Sequence, residues 1–442
     1  MCGIAGLFSV NRILPVLEAR DQVMRQMARV QAHRGPDDEG IWHDAEGRCS
    51  LAHRRLSIID TSKAGHQPML DASGRWVITF NGEIYNFVEV RAELEAMGVP
   101  FRGRTDTEVL LQAICTWGTD ALPRLDGMFA FAAFDRESGQ LLLTRDAFGE
   151  KPLYYAELPG NGLAFASELH ALEGVPGVDL TVSADSVAEL LMFQYIGAPR
   201  TVYAKVNKLA PGHWMVASPG RPLRIERYFK FRPGEHGFDS RPIAQLADEL
   251  EHLLIRSLRR RLISDVPLGA FLSGGVDSST VCALIRGRLG VPLKTYSIGF
   301  AKAQESEHHT ARLFAEHLGT EHHEKIVAPH ASDFLQEIGG LLDEPNADSS
   351  CLPTYLLSAF ARESVTVALS GDGGDEMFAG YGRYFHTIDD ANLLERTSSP
   401  GWKAGDAYYS NRILVSTEQH IAELFGGVPP RAAEHLRRLR ET

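Results

Sequence analysis

The sequence has no apolar run long enough to span a membrane, no signal peptide and no Cys-x-x-Cys pair. Its five cysteines are scattered at positions 2, 49, 115, 282 and 351, which predicts neither a disulfide framework nor a zinc site. A formal net charge of −12 at pH 7 argues against non-specific binding to nucleic acid, although a local site for a small anion stays open. The sequence therefore predicts a cytoplasmic protein with no membrane or nucleic-acid partner.

The chain does contain enough apolar residues for large cores. Of its 442 residues, 44% are hydrophobic, and this length predicts two or three domains. Pro and Gly are concentrated around 215–242, as in a connection between domains. We therefore predict a first domain over 2–214, a connection over 215–242 and a second domain over 243–442.

The first domain is rich in Gly and in short alternating segments, which are typical of β-strands. Its predicted strands are Leu51–Ile59, Trp76–Phe80, Met128–Phe134, Gln140–Thr144 and Gly162–Ala166. Its predicted helices are Val16–Ala32, Phe87–Met97, Thr107–Trp117 (after the start signal Thr105-Asp106) and Val182–Tyr195. This pattern predicts an α+β domain of stacked sheets covered by helices.

The second domain alternates between helices and strands from about residue 243. Its predicted strands are Leu268–Leu272, Lys294–Phe300, Glu324–Val327 and Val365–Leu369. Its predicted helices are Leu246–Arg261, Ser278–Arg288, Thr310–Leu318, Phe334–Leu342 and Thr354–Ala361. Such alternation predicts an α/β domain with a parallel sheet and helices on both faces.

Cys2 is a candidate nucleophile. If Met1 is removed, as the small size of Cys permits, the thiol lies on the terminal residue beside a free α-amine. An amine with a pKa of about 8 can accept the thiol proton near neutral pH. The alternative is that Cys2 is a small apolar residue at the start of a buried strand.

Two loops of the second domain predict a nucleotide site. After a buried strand, Ser273-Gly274-Gly275-Val276-Asp277-Ser278-Ser279 combines a Gly-containing loop with a helix start, which suits an anion, and Asp277 could hold a cation. The segment Ser370–Glu376 also follows a strand and carries three carboxylates. Loops after strands share the ligand crevice of an open α/β sheet. The alternatives are a plain Gly turn and a solvated acidic turn.

The motifs occur in an order that resembles a known family. The segments that carry this resemblance are Cys2–Gly6, His33–Asp37, His53–Ile58, Asn81–Asn86, Ser273–Ser279 and Ser370–Glu376. The first four resemble a class II glutamine amidotransferase domain with the αββα architecture of N-terminal-nucleophile hydrolases. The last two resemble the ATP-pyrophosphatase domain of glutamine-hydrolysing asparagine synthetases, and the resemblance runs from residue 2 to about residue 384.

The resemblance implies a role for residues of the first domain. Cys2 would attack the glutamine side-chain amide, and Asn81 and Gly82 would form the oxyanion hole. The residues that would bind glutamine are Arg55, on the α-carboxylate, Ser57, Ile58, Asn81, Gly82, and Glu83 and Asp106, at the α-amino end. Taken singly, Arg55 could be a surface cation, Asn81-Gly82 a type I′ turn and Asp106 a helix N-cap.

For the second domain the resemblance implies ATP-dependent activation of a carboxylate as an acyl-adenylate, which ammonia from the first domain then attacks. The implied ATP-binding residues are Leu272, Ser273, Gly274, Gly275, Asp277, Ser278, Ser279, Ile298, Ser370 and Gly371. Asp277 and Asp375 would share Mg²⁺. The pairs His308-His309 and His322-His323 lack a third ligand at suitable spacing and are interpreted as solvated faces.

Two features depart from the family pattern. Asp372 stands where asparagine synthetases often have Glu, at a position suited to deprotonate incoming ammonia, and its surroundings look like the branch associated with surface polysaccharides. Family members also continue well beyond Tyr384 with a phosphate-contacting Lys and an acidic, Arg-containing segment, and neither is found in 385–442. The second domain is therefore expected to be incomplete at its C-terminus.

The sequence thus predicts a glutamine-hydrolysing asparagine synthase that uses ATP and Mg²⁺. Its expected partners are L-glutamine, ATP and a carboxylate acceptor, with L-aspartate preferred and a homodimer left open as the assembly. Two alternatives remain. One is an amidotransferase that acts on another carboxylate such as a sugar acid. The other is a glutaminase-only or non-catalytic remnant with a disabled synthetase domain.

Overall fold

The computed structural model describes residues 1–9, 13–232, 237, 239–301, 307–327, 338–396, 408 and 413–441. Contacts between residues divide the chain into two compact units. One unit is 1–181 with 197–240, and the other is 182–196 with 241–442. Within the described residues, no helix is long and apolar enough to cross a membrane. All five cysteines are free thiols.

The first unit contains two six-stranded sheets whose paired strands are all antiparallel. The first sheet has the order β10-β8-β9-β1-β3-β2 and the second has β12-β11-β7-β6-β5-β4. The strands are β1 (Gly3–Phe8), β2 (Asp38–His43), β3 (Cys49–Arg55), β4 (Met69–Leu70), β5 (Trp76–Ile84), β6 (Gly127–Asp135), β7 (Gln140–Arg145), β8 (Tyr154–Leu158), β9 (Gly162–Ala166), β10 (Val206–Lys208), β11 (His213–Ala217) and β12 (Arg224–Arg227). The helices are α1 (Leu17–Val30), α2 (Phe87–Ala96), α3 (Asp106–Trp117) and α4 (His170–Glu173).

Three apolar cores give this unit four layers. Side chains of both sheets, such as Phe8 and Phe134, form the central core. Helices α1 and α4 pack on the outer face of the first sheet, and α2 and α3 pack on the outer face of the second. Near this centre the imidazole of His53 lies 3.0 Å from the carbonyl of Phe80, and burial lowers the pKa of His53 to about 3. The predicted αββα arrangement is confirmed.

The second unit contains a parallel sheet with the order β15-β14-β13-β16. Its strands are β13 (Leu268–Phe271), β14 (Lys294–Phe300), β15 (Glu321–Val327) and β16 (Val367–Leu369). Its helices are α5 (Ala184–Phe193), α6 (Ile243–Arg261), α7 (Val276–Ala283), α8 (His308–Leu318), α9 (Cys351–Arg362), α10 (Gly374–Phe378), α11 (Gly382–Arg396), α12 (Glu418–Phe425) and α13 (Pro430–Glu441). The predicted α/β class with a parallel sheet is confirmed.

Most predicted elements form, with shifted ends. The predicted strand Leu51–Ile59 ends at Arg55, whereas the strand predicted over Trp76–Phe80 continues to Ile84 because it pairs with β6 along its whole length. The helix predicted from Ser278 begins at Val276 and ends in a wider π-turn over Leu284–Arg288. The first part of the predicted helix Phe334–Leu342, residues 334–337, lies outside the described residues, and the structure is helical over 338–341.

The structure differs from the sequence prediction around the predicted connection, 215–242. Strands β11 and β12 continue the second sheet through this segment, and the Pro and Gly residues of 218–222 lie in the turn between them. Helix α5, predicted within the first domain, packs instead on α12 and α13, where the carboxylate of Asp185 accepts the backbone N–H of Arg431 at 2.8 Å. Turn residues between two short strands resemble those of a domain linker in sequence.

Candidate active site

A cleft of about 520 Å³ in the first unit, partly open to solvent, gathers seven of the eight residues predicted to act on glutamine. These residues are Cys2, Arg55, Ile58, Asn81, Gly82, Glu83 and Asp106. They come from the chain start, the end of β3, the loop after it, β5 and the first residue of α3. The fold therefore joins the motifs in one place, which their spacing in sequence could not establish.

Cys2 lies immediately before β1, and its thiol faces the backbone of Leu56. The N–H of Leu56 is 3.4 Å from Sγ, and its carbonyl oxygen is 3.7 Å from Sγ. Burial raises the pKa of the Cys2 thiol, whereas the Leu56 N–H, the chain's amino group and Arg55 act to lower it. The thiol therefore needs a base to become a nucleophile, and an N–H donor is in place for the thiolate.

Asn81 is fully buried, and among the described residues neither its amide nitrogen nor its amide oxygen has a hydrogen-bond partner. Asn81 and Gly82 lie within β5 and pair with Ala130 and Phe129 of β6, so the alternative of a type I′ turn is wrong. A Cβ at Gly82 would lie 2.1 Å from the carbonyl oxygen of Met128, so only glycine fits there. A buried amide without partners is costly and, in a cleft, is typical of a group kept for a ligand.

We expect Asn81→Ala to lower kcat for glutamine hydrolysis by about 10²–10³-fold, because one oxyanion donor is lost. The melting temperature should not fall appreciably, since no protein hydrogen bond is removed with this amide. Asn86→Ala is the matched control, because both ends of that amide are satisfied by Arg124 and Asp126 outside the cleft. Steady-state kinetics and thermal unfolding of both variants check this prediction. A destabilised Asn81→Ala protein with normal kcat would contradict it.

Arg55 is 6% exposed, so the alternative of a surface cation is wrong. Its Nη1 donates to the carbonyl of Ser62 at 2.9 Å, and its Nη2 donates to the carbonyls of Asp60 and Ile59. A Cβ at Gly65 would lie 1.8 Å from Nη2, so this glycine makes room for the guanidinium. These contacts fix a planar cation at the cleft, which suits a carboxylate.

Two carboxylates lie in the same cleft. Asp106 accepts the backbone N–H of Ile84 at 3.0 Å, and burial raises its pKa to about 6. The N-cap of α3 is Thr105, so the alternative of Asp106 as the cap is wrong. Glu83 is 8% exposed. Together with Arg55, these groups offer charges complementary to an amino acid's α-carboxylate and α-ammonium.

Ser57 is the predicted glutamine residue that does not line the cleft, and its backbone N–H donates to Asp37 at 2.8 Å. The sequence prediction missed Gln67 and Lys151, which do line it and are 4% and 5% exposed. Gln67 accepts the N–H of Phe80 at 2.7 Å and donates to Thr107 at 3.3 Å. No motif marks either residue, and the one available signal for Lys151 is a charge directly before the apolar segment Pro152–Tyr154.

In the second unit, the two predicted loops leave neighbouring strands. The chain continues from β13 to β14 and β15 on one side and places β16 on the other, so the strand order reverses between β13 and β16. Ser273–Gly275 follows β13 and Ser370–Gly373 follows β16. Ligands of open α/β sheets bind at such a reversal, beyond the carboxyl ends of the strands.

Glycines allow these loops to approach each other closely. A Cβ at Gly371 would lie 2.7 Å from the backbone nitrogen of Ser278, and one at Gly374 would lie 2.4 Å from Cγ of Asp277. Gly274 has a φ of +86°, and a Cβ there would lie 2.8 Å from the nitrogen of Ala311. The structure thus brings the two loops together around Asp277, and a plain turn would not require these glycines.

The polar groups of the first loop fit an anion. The backbone N–H groups of Ser273 and Gly275 donate to the hydroxyls of Ser278 and Ser273, respectively. The buried Ser279 hydroxyl has no hydrogen-bond partner in the part of the chain that the structure describes. Leu272 is buried under the loop, and Ile298 lies along β14. In the second loop, Ser370 donates to the carboxylate of Asp372 at 2.9 Å. The donor set and the start of α7 suit phosphate groups.

In the structure, the carboxylates of Asp277 and Asp375 form only part of a cation site. The Asp277 carboxylate lies against Gly374, whereas the Asp375 carboxylate lies against Gly380. Within the described ranges, no group of three or more His, Cys, Asp or Glu side chains could hold a metal ion. Carboxylates that bind Mg²⁺ together with phosphate oxygens need only one or two members, so the pair stays compatible with Mg²⁺.

One histidine of each pair, His308 and His322, packs within the second unit, whereas His309 is exposed. His308 is 6% exposed, and the ring of His322 contacts the hydroxyls of Thr295 and Ser297 at 2.9 and 3.2 Å. The interpretation as solvated faces is therefore wrong for His308, which packs at the start of α8 where the paired rings meet at a centroid distance of 3.9 Å.

Comparisons with known proteins find two family domains that follow one another along the chain. A family model described as a glutamine amidotransferase domain matches residues 1–229, and one described as asparagine synthase matches residues 249–439. The chain is 36% identical to the glutamine-hydrolyzing asparagine synthetase 1 of Bacillus subtilis over 87% of this chain and 59% of that protein. It thus spans about three fifths of that relative's length.

Two further relatives are covered more fully. The putative glutamine-hydrolyzing asparagine synthetase 2 of Methanocaldococcus jannaschii is 34% identical, with 86% of this chain and 76% of that protein covered. The glutamine-hydrolyzing asparagine synthetase B of Escherichia coli is 30% identical, with 89% and 67% covered. The order of the motifs, the four-layer unit that holds Cys2 and these matches lead to one conclusion: the chain belongs to the family of glutamine-hydrolysing asparagine synthetases.

Proposed function

We propose that this protein hydrolyses glutamine at Cys2 and transfers the ammonia to a carboxylate activated with ATP. The preferred acceptor is L-aspartate, which would give asparagine, AMP and pyrophosphate. The observation that carries the proposal is the buried, unpartnered amide of Asn81 in the cleft of Cys2. Relatives named as glutamine-hydrolysing asparagine synthetases support the choice of reaction.

The first half-reaction needs only groups of the cleft once the Met1–Cys2 peptide bond has been hydrolysed. The α-amine of Cys2 accepts the thiol proton, and Sγ bonds to the amide carbon of glutamine. Asn81 donates to the oxygen, which now carries the negative charge. The carbon–nitrogen bond then breaks, and the proton on the amine passes to the departing ammonia. Water cleaves the thioester, which yields glutamate and restores the thiol.

Substrate orientation would come from the charged groups of the cleft. Arg55, held by three backbone carbonyls, would bind the α-carboxylate of glutamine. Glu83 and Asp106 would bind its α-ammonium. Because the pKa of Asp106 is about 6, this carboxylate is charged for the most part at neutral pH. Three charges in fixed positions would select an α-amino acid over a simple amide.

The second half-reaction would use the two loops of the parallel sheet. ATP would supply the adenylyl group that makes the acceptor carboxylate reactive, and Mg²⁺ would neutralise its phosphates. The loop Ser273–Gly275, the start of α7 and the Ser279 hydroxyl are suited to phosphate oxygens, and Asp277 and Asp375 to the cation. Leu272, Ile298, Ser370 and Gly371 would contact the nucleotide.

A second acceptor is favoured by one observation. Asp372 is one methylene shorter than Glu, and its carboxylate already accepts the Ser370 hydroxyl at 2.9 Å. A shorter group at the place where ammonia meets the acceptor would suit a substrate of different shape, such as a sugar acid. The other alternative, a glutaminase whose second unit makes no amide, would lack ATP turnover.

The test is an incubation of purified protein with glutamine, ATP, Mg²⁺ and aspartate, with glutamate and pyrophosphate measured together. We expect glutamate, and pyrophosphate that depends on aspartate. Glutamate with pyrophosphate only when a sugar acid replaces aspartate would assign the second acceptor. Glutamate without pyrophosphate for any carboxylate would leave a glutaminase alone, and absence of glutamate would refute the proposal.

A further inference from the structure

Lys151 is a buried ammonium group whose position is set by the fold. It is 5% exposed and lines the cleft of Cys2. Its backbone N–H donates to the Asp146 carboxylate at 2.9 Å, and its carbonyl accepts from Arg145 Nε at 2.8 Å. The turn between β7 and β8 therefore holds Lys151 in place without any substrate.

The side chain of Lys151 has only a weak partner. Its Nζ lies 3.2 Å from Sδ of Met1, and among the described residues no carboxylate forms an ion pair with it. A thioether sulfur is a poor hydrogen-bond acceptor. Burying a cation without an ion-pair partner is unfavourable, so a group of this kind is seldom present without a purpose.

Removal of Met1 would take away that partner and create a new amine next to the same space. The sulfur that Nζ contacts belongs to the residue bonded to the nitrogen of Cys2. After processing, that nitrogen is the α-amine that would accept the thiol proton. A fixed cation close to an amine disfavours protonation of the amine.

We propose that Lys151 is a positioning residue of the glutaminase reaction, whose charge keeps the α-amine of processed Cys2 in its neutral, proton-accepting form. The inference rests on the proposed function, since it assigns a role within that reaction. It also gives Met1 removal a second effect, because the same cut that frees the amine exposes it to the Lys151 charge.

Other charged groups shift the pKa values of Lys151 and Cys2. The groups that act on Lys151 are Glu83 of β5, Asp146, Glu150 and Arg34, and those that act on Cys2 are Arg55 of β3 and Asp106 of α3. Burial lowers the pKa of Lys151, and the three carboxylates oppose that shift and favour the ammonium. Arg34 donates to the carbonyl of Cys2 at 2.9 Å, so a second cation also lies at the chain start.

The test compares the pH dependence of kcat for glutamine hydrolysis in Lys151→Met, Lys151→Arg and the parent protein. Saturating glutamine removes the contribution of Asp106, which would titrate near pH 6 in substrate binding. We expect the acidic limb of Lys151→Met to move to higher pH by about one unit, because the amine regains its proton more readily. Lys151→Arg should keep the parent profile. Lys205→Met, an exposed lysine of the same unit, is the matched control and should also keep it.

A second measurement applies if a Lys151 variant folds but hydrolyses glutamine too slowly for a pH profile of kcat. Alkylation of Cys2 at a series of pH values, located by mass spectrometry, needs no turnover and should show the same shift in Lys151→Gln. An unshifted profile with a raised KM would make Lys151 a glutamine-binding group and overturn the proposal. If the parent makes no glutamate, the proposed function itself fails. If the parent is active and both profiles are unshifted, only this inference fails.

Discussion

Replacing Cys2 with Ala is expected to lower glutamine hydrolysis by at least about 10³-fold, because no other group of the cleft can form the thioester. Synthesis from free ammonia, where the second unit supports it, should be retained. The loss should appear in kcat rather than KM, since Arg55, Glu83 and Asp106 remain to bind glutamine. Glutamate release with glutamine, and product formation with ammonium chloride, are the two measurements.

Cys115→Ala is the matched control for that experiment. Cys115 lies on α3 outside the cleft, and burial raises its pKa to about 12, so its thiol is a poor nucleophile. It should keep the parent's kcat. Glutaminase activity that survives in Cys2→Ala would contradict the assignment of the nucleophile, whatever the control shows.

The second large effect concerns Asp277. Asp277→Ala, and the nearly isosteric Asp277→Asn, should lower ATP-dependent pyrophosphate release by about 10²-fold or more, because a cation at the phosphates loses its carboxylate. Glutamine hydrolysis should stay within about twofold of the parent, since the two sets of residues belong to different units. Asp248→Ala, on the exposed face of α6, is the control.

Using two substitutions separates chemistry from packing. The Asp277 carboxylate fills the space against Gly374, and Asn fills the same space without the charge. If Asp277→Asn keeps full pyrophosphate release while Asp277→Ala loses it, the carboxylate serves packing and the proposed cation role is wrong. If both substitutions also lowered glutamine hydrolysis, the division of labour between the units would be wrong.

Sequence reasoning predicted the second unit's sheet well because its signals are local. Strand β13 is a short apolar segment, β14 has apolar residues among small polar ones, and the segments predicted as helices alternate with these strands along the chain. The alternation of types then implies parallel order. The reversal between β13 and β16 is not local, and it became visible only in the pairing of the strands.

In the first unit, some features could not be predicted from the local sequence. Asn81-Gly82 is a strong hairpin signal, yet the strand continues because β6 pairs through Gly82 with Phe129. Cys2 was found because its place at the chain start has a chemical meaning of its own. Lys151 was missed because nothing in its own segment indicates that the turn after β7 lies beside the chain start. Such proximity depends on long-range pairing of strands.

The central claim is that processed Cys2 is the glutaminase nucleophile, and covalent labelling tests it most directly. The protein is treated with a glutamine analogue in which a chloromethyl ketone replaces the side-chain amide, and peptides are mapped by mass spectrometry. We predict one adduct, on a peptide that begins at Cys2 without Met1, and protection by excess glutamine. An adduct on Cys49, Cys115, Cys282 or Cys351, or no adduct from a protein that still hydrolyses glutamine, would contradict the claim.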